Sequence, residues 1–139
     1  VGVLGNARLQ VFPVWEMSFS GMPDRTWHIA TERVKWSGSY QKKHGIQTGA
    51  ANLPKEVSQR VQHLAKRVFR AVDLSGYARI DLRLKPDGSL FVLEANANPN
   101  LALTEDLATS ALSSGVGYDA LLDRIMRFGI SYQAAWRQA

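Results

Sequence analysis

The stretch from Gly76 to Leu101, GYARIDLRLKPDGSLFVLEANANPNL, constrains this chain most, because its pattern points to one local structure. Ala78, Ile80, Leu82 and Leu84 alternate with Arg79, Asp81 and Arg83, the period of two of a half-buried strand. Leu90 to Ala95 is rich in strand formers, and Pro86-Asp87-Gly88 between the two runs is a hairpin signal. With Asp87 and Gly88 as the central turn residues, Pro86 pairs with Ser89, Asp81 faces Glu94, and Arg79 faces Asn96. A longer loop about the same centre keeps that register.

Two carboxylates directly opposite on one sheet face destabilise it by roughly 0.2–1 kcal/mol, so something cationic is expected between them. Arg79 supplies one positive charge. Asp81, Glu94 and Asn96 offer oxygen donors only, the ligand set of a hard cation, with Mg²⁺ foremost and Mn²⁺ an alternative. Because Mg²⁺ commonly takes further ligands from phosphates, the pattern implies a nucleotide. The competing reading is that alternating charge marks the solvated face of a sheet. The second strand argues against it: Glu94 and Asn96 end an apolar run, and Asn98-Pro99 then breaks the strand. The carboxylates therefore lie at a strand end, where sites tend to be built.

R-x-D, a short hairpin and then LEAN-x-NP together resemble the C-terminal half of the ATP-grasp carboxylate–amine ligases, and most of all the D-alanine–D-alanine ligase branch. VGVLGN, the VKW segment, GYARIDLRL, LEANANPNL and SSGVGYDALLDRIM fall in the family's order, so the resemblance covers most of the chain. It implies that Asp81 and Glu94 hold one Mg²⁺ and Glu94 and Asn96 a second. It also implies that Arg79 stabilises the phosphoryl group in flight and the acyl phosphate, and that Lys35, through a looser match, reaches the nucleotide phosphates. The implied reaction joins a carboxylate to an amine at the expense of ATP, with small amino-acid-like substrates. Two positions depart from the family pattern. Asn100 stands where a glycine is usual, and Glu105 lies near the place of a small hydroxyl residue that helps hold the acceptor carboxylate. A carboxylate there would repel D-alanine, so ligation is the firmer implication and D-alanine the weaker; as a residue near a helix start, Glu105 also has a purely structural explanation.

At 139 residues with 45% hydrophobic content, the chain is expected to form one domain, residues 1–139. It begins at Val1 and opens directly in a strand pattern. The expectation is therefore a fragment without the N-terminal and lid subdomains of its parent, and without ligase activity of its own. The resemblance places an acidic nucleotide-binding segment just before Val1. There is no cysteine, which excludes disulfides and thiolate metal sites and suits a cytoplasmic location, and no apolar run approaches ~20 residues, so no membrane partner is expected. The formal charge of +5 favours anionic ligands. Two rival classes follow: a non-catalytic nucleotide-binding domain, and a nucleic-acid module built on Lys42, Lys43 and His44 beside Trp36 and Tyr40. A homodimer is left open, and His28 and His44 lack the spaced partners of a zinc site.

The remaining segments set the fold class. Val1 to Leu4 and Leu9 to Glu16 read as strands around Gly5-Asn6-Ala7, with Pro13 confined to an edge or bulge. Ser18 to Thr26 reads as loop, Trp27 to Trp36 as a short strand and irregular turn, and Ser37 to Ala51 as a polar loop that the resemblance would close over a nucleotide. Leu53 to Asp73 is the clearest helix, with Pro54 at its first position and Val57, Val61, Leu64, Val68 and Val72 on one face. Its basic opposite face reads as a solvated surface. Thr104 is expected to cap a helix through Leu107, Ala108, Ala111 and Leu112, and a last helix runs from Tyr118 to about Gly129 with Leu121, Leu122, Ile125, Met126 and Phe128 as its apolar positions. SYQAAWRQA has no firm reading beyond weak helix. The expected architecture is α+β: an antiparallel β-sheet covered by the long helix and the two C-terminal helices, as in the ATP-grasp C-terminal (catalytic) subdomain.

Overall fold

Eleven elements follow from these patterns in the computed structural model, which describes residues 1–23 and 25–133. In chain order they are β1 (Gly2–Leu4), β2 (Gln10–Val11), β3 (Trp15–Phe19), α1 (Glu32–Trp36), α2 (Gly38–Lys43), β4 (Ile46–Ala50), α3 (Lys55–Ala71), β5 (Tyr77–Leu84), β6 (Leu90–Asn96), α4 (Asp106–Ser113) and α5 (Tyr118–Ile130). The main sheet is antiparallel, in the order β2-β1-β5-β6, while β3 and β4 pair in a separate two-stranded sheet. The α+β expectation holds, with one sheet more than the sequence indicated.

Successive residues of β1 serve opposite faces, as the period of a strand requires. Val3 joins Ala78, Ile80, Ala65 and Phe69, so α3 covers one face. Leu4 joins Phe12, Leu107, Ala108, Ala111, Val116 and Leu121, so α4 and α5 pack at the end of the other. Gly2, opposite Arg79, marks the border between that second core and the open sheet face. A Cβ at Gly2 would lie 2.6 Å from Leu107 Cδ1 and 2.7 Å from Phe12 Cδ2, so glycine is what lets both side chains close over β1. The open part of this face carries Arg79, Asp81, Glu94 and Asn96.

Several expectations are corrected. Pro13 ends the second strand rather than lying within it: β2 stops at Val11, and the chain re-enters extended structure at Trp15 in the other sheet. β3 runs on through Ser18 and Phe19, which had read as loop. The Trp27 to Trp36 segment forms no strand; Thr31 caps α1 by accepting from the Val34 N–H. Ser37 to Ala51 is likewise not an open loop, because Ser37 caps α2 and β4 pairs along the whole of β3. Pro54 precedes α3 as its N-cap, and Val72 lies beyond the helix and is exposed. Glu105 rather than Thr104 is the N-cap of α4, in extended geometry without a side-chain bond. Leu112 and Met126 face solvent, whereas Leu121 is fully buried. α5 ends at Ile130, so Ser131 to Gln133 do not continue it; the rest of the tail, 134–139, lies outside the described residues.

The turn between β5 and β6 also differs. Lys85, not Pro86, pairs with Ser89: the Lys85 N–H donates to Ser89 O and the Gly88 N–H to Lys85 O, both at 2.9 Å. Pro86-Asp87-Gly88 is thus a three-residue loop, and Gly88 takes the left-handed conformation (φ 80°) that such loops require at their last position. The Asp87 carboxylate accepts from the hydroxyl and the backbone N–H of Ser89, which hold its pKa below the usual value.

Candidate functional site

The turn alone would put Asp81 opposite Leu93. Leu84, Arg83 and Leu82 pair with Leu90, Phe91 and Val92, and then the register shifts, so that Asp81 pairs with Glu94, Ile80 with Ala95, and Arg79 with Asn96. Leu93 is the extra residue of a β-bulge on the edge strand, and it is exposed. The facing of Asp81 and Glu94 therefore holds as expected for a reason the sequence did not reveal. A shorter turn and a bulge offset one another, and the two carboxylates meet.

The guanidinium of Arg79 donates twice to Asp81, Nε to Oδ1 at 2.7 Å and Nη2 to Oδ2 at 2.9 Å. Both side chains are about a quarter exposed, so the pair is partly shielded from solvent. Hydrogen bonding to Asp81 raises the Arg79 pKa above its ordinary value; burial opposes this, and the charges of Asp81, Asp106 and Glu94 add to it. Arg79 is thus set among three carboxylates. Glu94 is exposed and Asn96 half-buried. The Asn96 Oδ1 accepts from the Asn98 N–H at 2.9 Å, and the Tyr77 hydroxyl donates to Asn98 Oδ1 at 2.8 Å.

The fold brings together Arg79, Asp81, Glu94 and Asn96 but does not bond Lys35 to them. Lys35 is exposed on α1, and among the described residues no hydrogen bond or ion pair joins it to the four. The segment before α1 is tied to β5 further along, where Arg83 Nη1 donates to His28 O at 2.8 Å. Tyr77, Asn98 and Asp106 were missed as neighbours of the site. Tyr77 was findable, since it precedes Arg79 by two on one strand and must share its face. Asp106 was not, because only the packing of α4 against the sheet end brings its charge near Arg79.

A groove of about 660 Å³ lies elsewhere, between α3 and the start of β6, and is lined by residues such as Arg60, His63, Leu64 and Leu90. Its basic wall is the solvated face of α3, whereas the opposed like charges lie on the carboxylate face. Among the described residues no cluster of three or more His, Cys, Asp or Glu side chains forms a metal centre, so a cation here would rest on two carboxylates and a carboxamide. No helix among them is long and apolar enough to cross a membrane.

Residues 1–127 match the family model described as D-ala D-ala ligase C-terminus. A D-alanine–D-alanine ligase of Desulfovibrio desulfuricans is 31% identical over 103 residues, which are 74% of this chain and 34% of that protein. In solved structures, the D-alanine–D-alanine ligase of Coxiella burnetii superposes with a TM-score of 0.71 at 22% identity, over 93% of this chain and 30% of that one. The Bacillus anthracis enzyme, complexed with ATP, gives 0.66 at 23% identity over 93% and 36%. The chain thus spans about a third of the length of these relatives. Sequence match and shared fold agree on one assignment: this chain belongs to the D-alanine–D-alanine ligase C-terminal domain family.

Proposed function

We propose that these residues form, as one ATP-grasp C-terminal domain, the metal- and phosphate-binding part of an ATP-dependent carboxylate–amine ligase working through an acyl phosphate. The observation that carries this reading is the facing of Asp81 and Glu94, with Arg79 and Asn96 the next pair on the same face. The donor set fits Mg²⁺, or Mn²⁺ in its place: Asp81, Glu94 and Asn96 would hold the ion, which when bound neutralises phosphate charge. In this reaction a substrate carboxylate oxygen attacks the γ-phosphorus of ATP and ADP leaves; an amine then attacks the acyl carbon and phosphate leaves. Arg79 would stabilise the charge that develops on the transferring group, as a preorganised cation beside a partly shielded pair. Lys35 would approach the phosphates from α1.

Amino-acid-like substrates belong to the proposal, and so do a cytoplasmic setting and the sequence that completes the nucleotide cleft in the relatives. On this reading the 139 residues alone turn over no substrate. D-alanine as the acceptor is disfavoured by Glu105, a carboxylate at the start of α4.

Calorimetry of Mg²⁺-dependent ADP binding to the full gene product tests the reading. Glu94→Gln is expected to weaken that binding at least about 10-fold. Equal binding in the variant would remove the hairpin carboxylates from the site. Binding by the full gene product with no product formed on any amino-acid pair would instead assign a non-catalytic nucleotide-binding role.

A further inference from the structure

We infer that Tyr77 is a positioning residue that sets the carboxamide of Asn96 by way of Asn98, an inference that rests on the metal-binding reading of Asn96. Tyr77 lies opposite Leu4 on the site face of the sheet, two residues before Arg79. Its ring packs against the buried cluster of Leu4, Phe12 and Leu107, so one end of the side chain is anchored in the core. The other end reaches out of it, and the hydroxyl donates to Asn98 Oδ1 at 2.8 Å. Asn98 in turn uses its backbone N–H to hold Asn96 Oδ1, at 2.9 Å.

A carboxamide oxygen has two lone pairs. With one taken by the Asn98 N–H, the other is held in a fixed direction on the face shared with Asp81 and Glu94. Asn96 then loses little rotamer freedom when it takes a cation, which is how groups behind metal ligands strengthen binding. Asn98 is itself exposed, beyond the end of β6, and among the described residues its side chain bonds only to the Tyr77 hydroxyl. The phenol hydroxyl supplies its restraint. A purely structural role for Tyr77 would rest on its ring, which Tyr77→Phe retains.

The test uses the full gene product and compares wild type with Tyr77→Phe, Asn98→Ala, the double variant and Glu94→Gln. It reads Mg²⁺–ADP affinity by calorimetry, the Asn96 side-chain amide resonances by NMR without ligand, and thermal stability. Tyr77→Phe is expected to weaken affinity about 3- to 10-fold, the loss of one hydrogen bond, and to shift the Asn96 resonances while the melting point stays nearly unchanged. The double variant is expected to bind no more weakly than Asn98→Ala alone, since both changes break one chain of contacts. Unmoved Asn96 resonances in Tyr77→Phe overturn the inference. So does unchanged affinity in Tyr77→Phe when Glu94→Gln binds poorly, or full additivity in the double variant. If Glu94→Gln binds like wild type, the metal-binding reading fails separately, and the Asn96 resonances still decide whether Tyr77 positions that side chain.

Discussion

Arg79→Ala in the full gene product is expected to lower the rate of ligation by about 10²–10³, the usual loss when one preorganised charged stabiliser is removed from a shielded site. The substitution takes away a guanidinium that bonds to Asp81 and lies within the field of Asp106 and Glu94. Its effect on folding should be far smaller, on the order of 1 kcal/mol or less, because the Arg79–Asp81 pair is still partly open to water. Arg79→Lys keeps the charge but cannot reproduce the two-pronged contact with Asp81, so it is expected to restore only part of the rate. Arg83→Ala is the matched control. Arg83 lies on the same strand and the same side, is exposed, and bonds only to His28 O among the described residues, so its loss should leave the chemistry nearly intact. Steady-state rates of ATP-dependent product formation for the three variants check this ordering. Equal losses for Arg79→Ala and Arg83→Ala would mean that basic character of the face matters and not the placed guanidinium.

Phe69→Ala is expected to destabilise the fold by about 3–5 kcal/mol, read as a lower urea midpoint with an unchanged slope. Phe69 is among the largest fully buried side chains and ties α3 to Val3, Ala78 and Ile80. Against a typical total of about 5–15 kcal/mol for a domain, that loss leaves little reserve. The contrast with Leu112→Ala is informative. Leu112 had the same claim to a core position by spacing, but it is 61% exposed, so its removal should change stability by no more than about 0.5 kcal/mol. A large loss at Leu112 together with a small one at Phe69 would contradict the layering of helices on the sheet.

The elements that were legible in the sequence share a property: their signal is local and repeats. α3 shows its helical spacing over 17 residues, and β5 alternates over eight. The short elements gave no such signal. α1 has five residues and α2 six, too few to repeat a spacing, and each is defined by a capping hydroxyl, Thr31 or Ser37, within a stretch that otherwise reads as loop. β4 depends on β3 as its partner, which is a tertiary fact. Burial at the ends of patterns was also invisible: Val72, Leu112 and Met126 keep the helical spacing but are exposed among the described residues.

The facing of the two carboxylates was legible, but through a geometry in which two departures offset one another. Asp81 and Glu94 were expected to face each other from a two-residue turn, but the turn has three residues and Leu93 forms a bulge. Neither turn length nor bulge is fixed by residue type alone, since Pro-Asp-Gly is compatible with more than one loop. Leu93→Gly or a one-residue deletion there would test how far the facing depends on the bulge, but the fold already gives the dependence in its register. Lys35 shows the limit of reading a role from local sequence: it is exposed on the five-residue α1, which no repeating pattern announced.

The most direct measurement is Mn²⁺-induced broadening in NMR spectra of the full gene product with ADP present. Broadening is expected to concentrate on Asp81, Glu94 and Asn96 and to spread to Arg79, which shares their face. Broadening centred instead on Arg60, His63 and Leu90 in the α3 groove, or none at any of these positions, would contradict it.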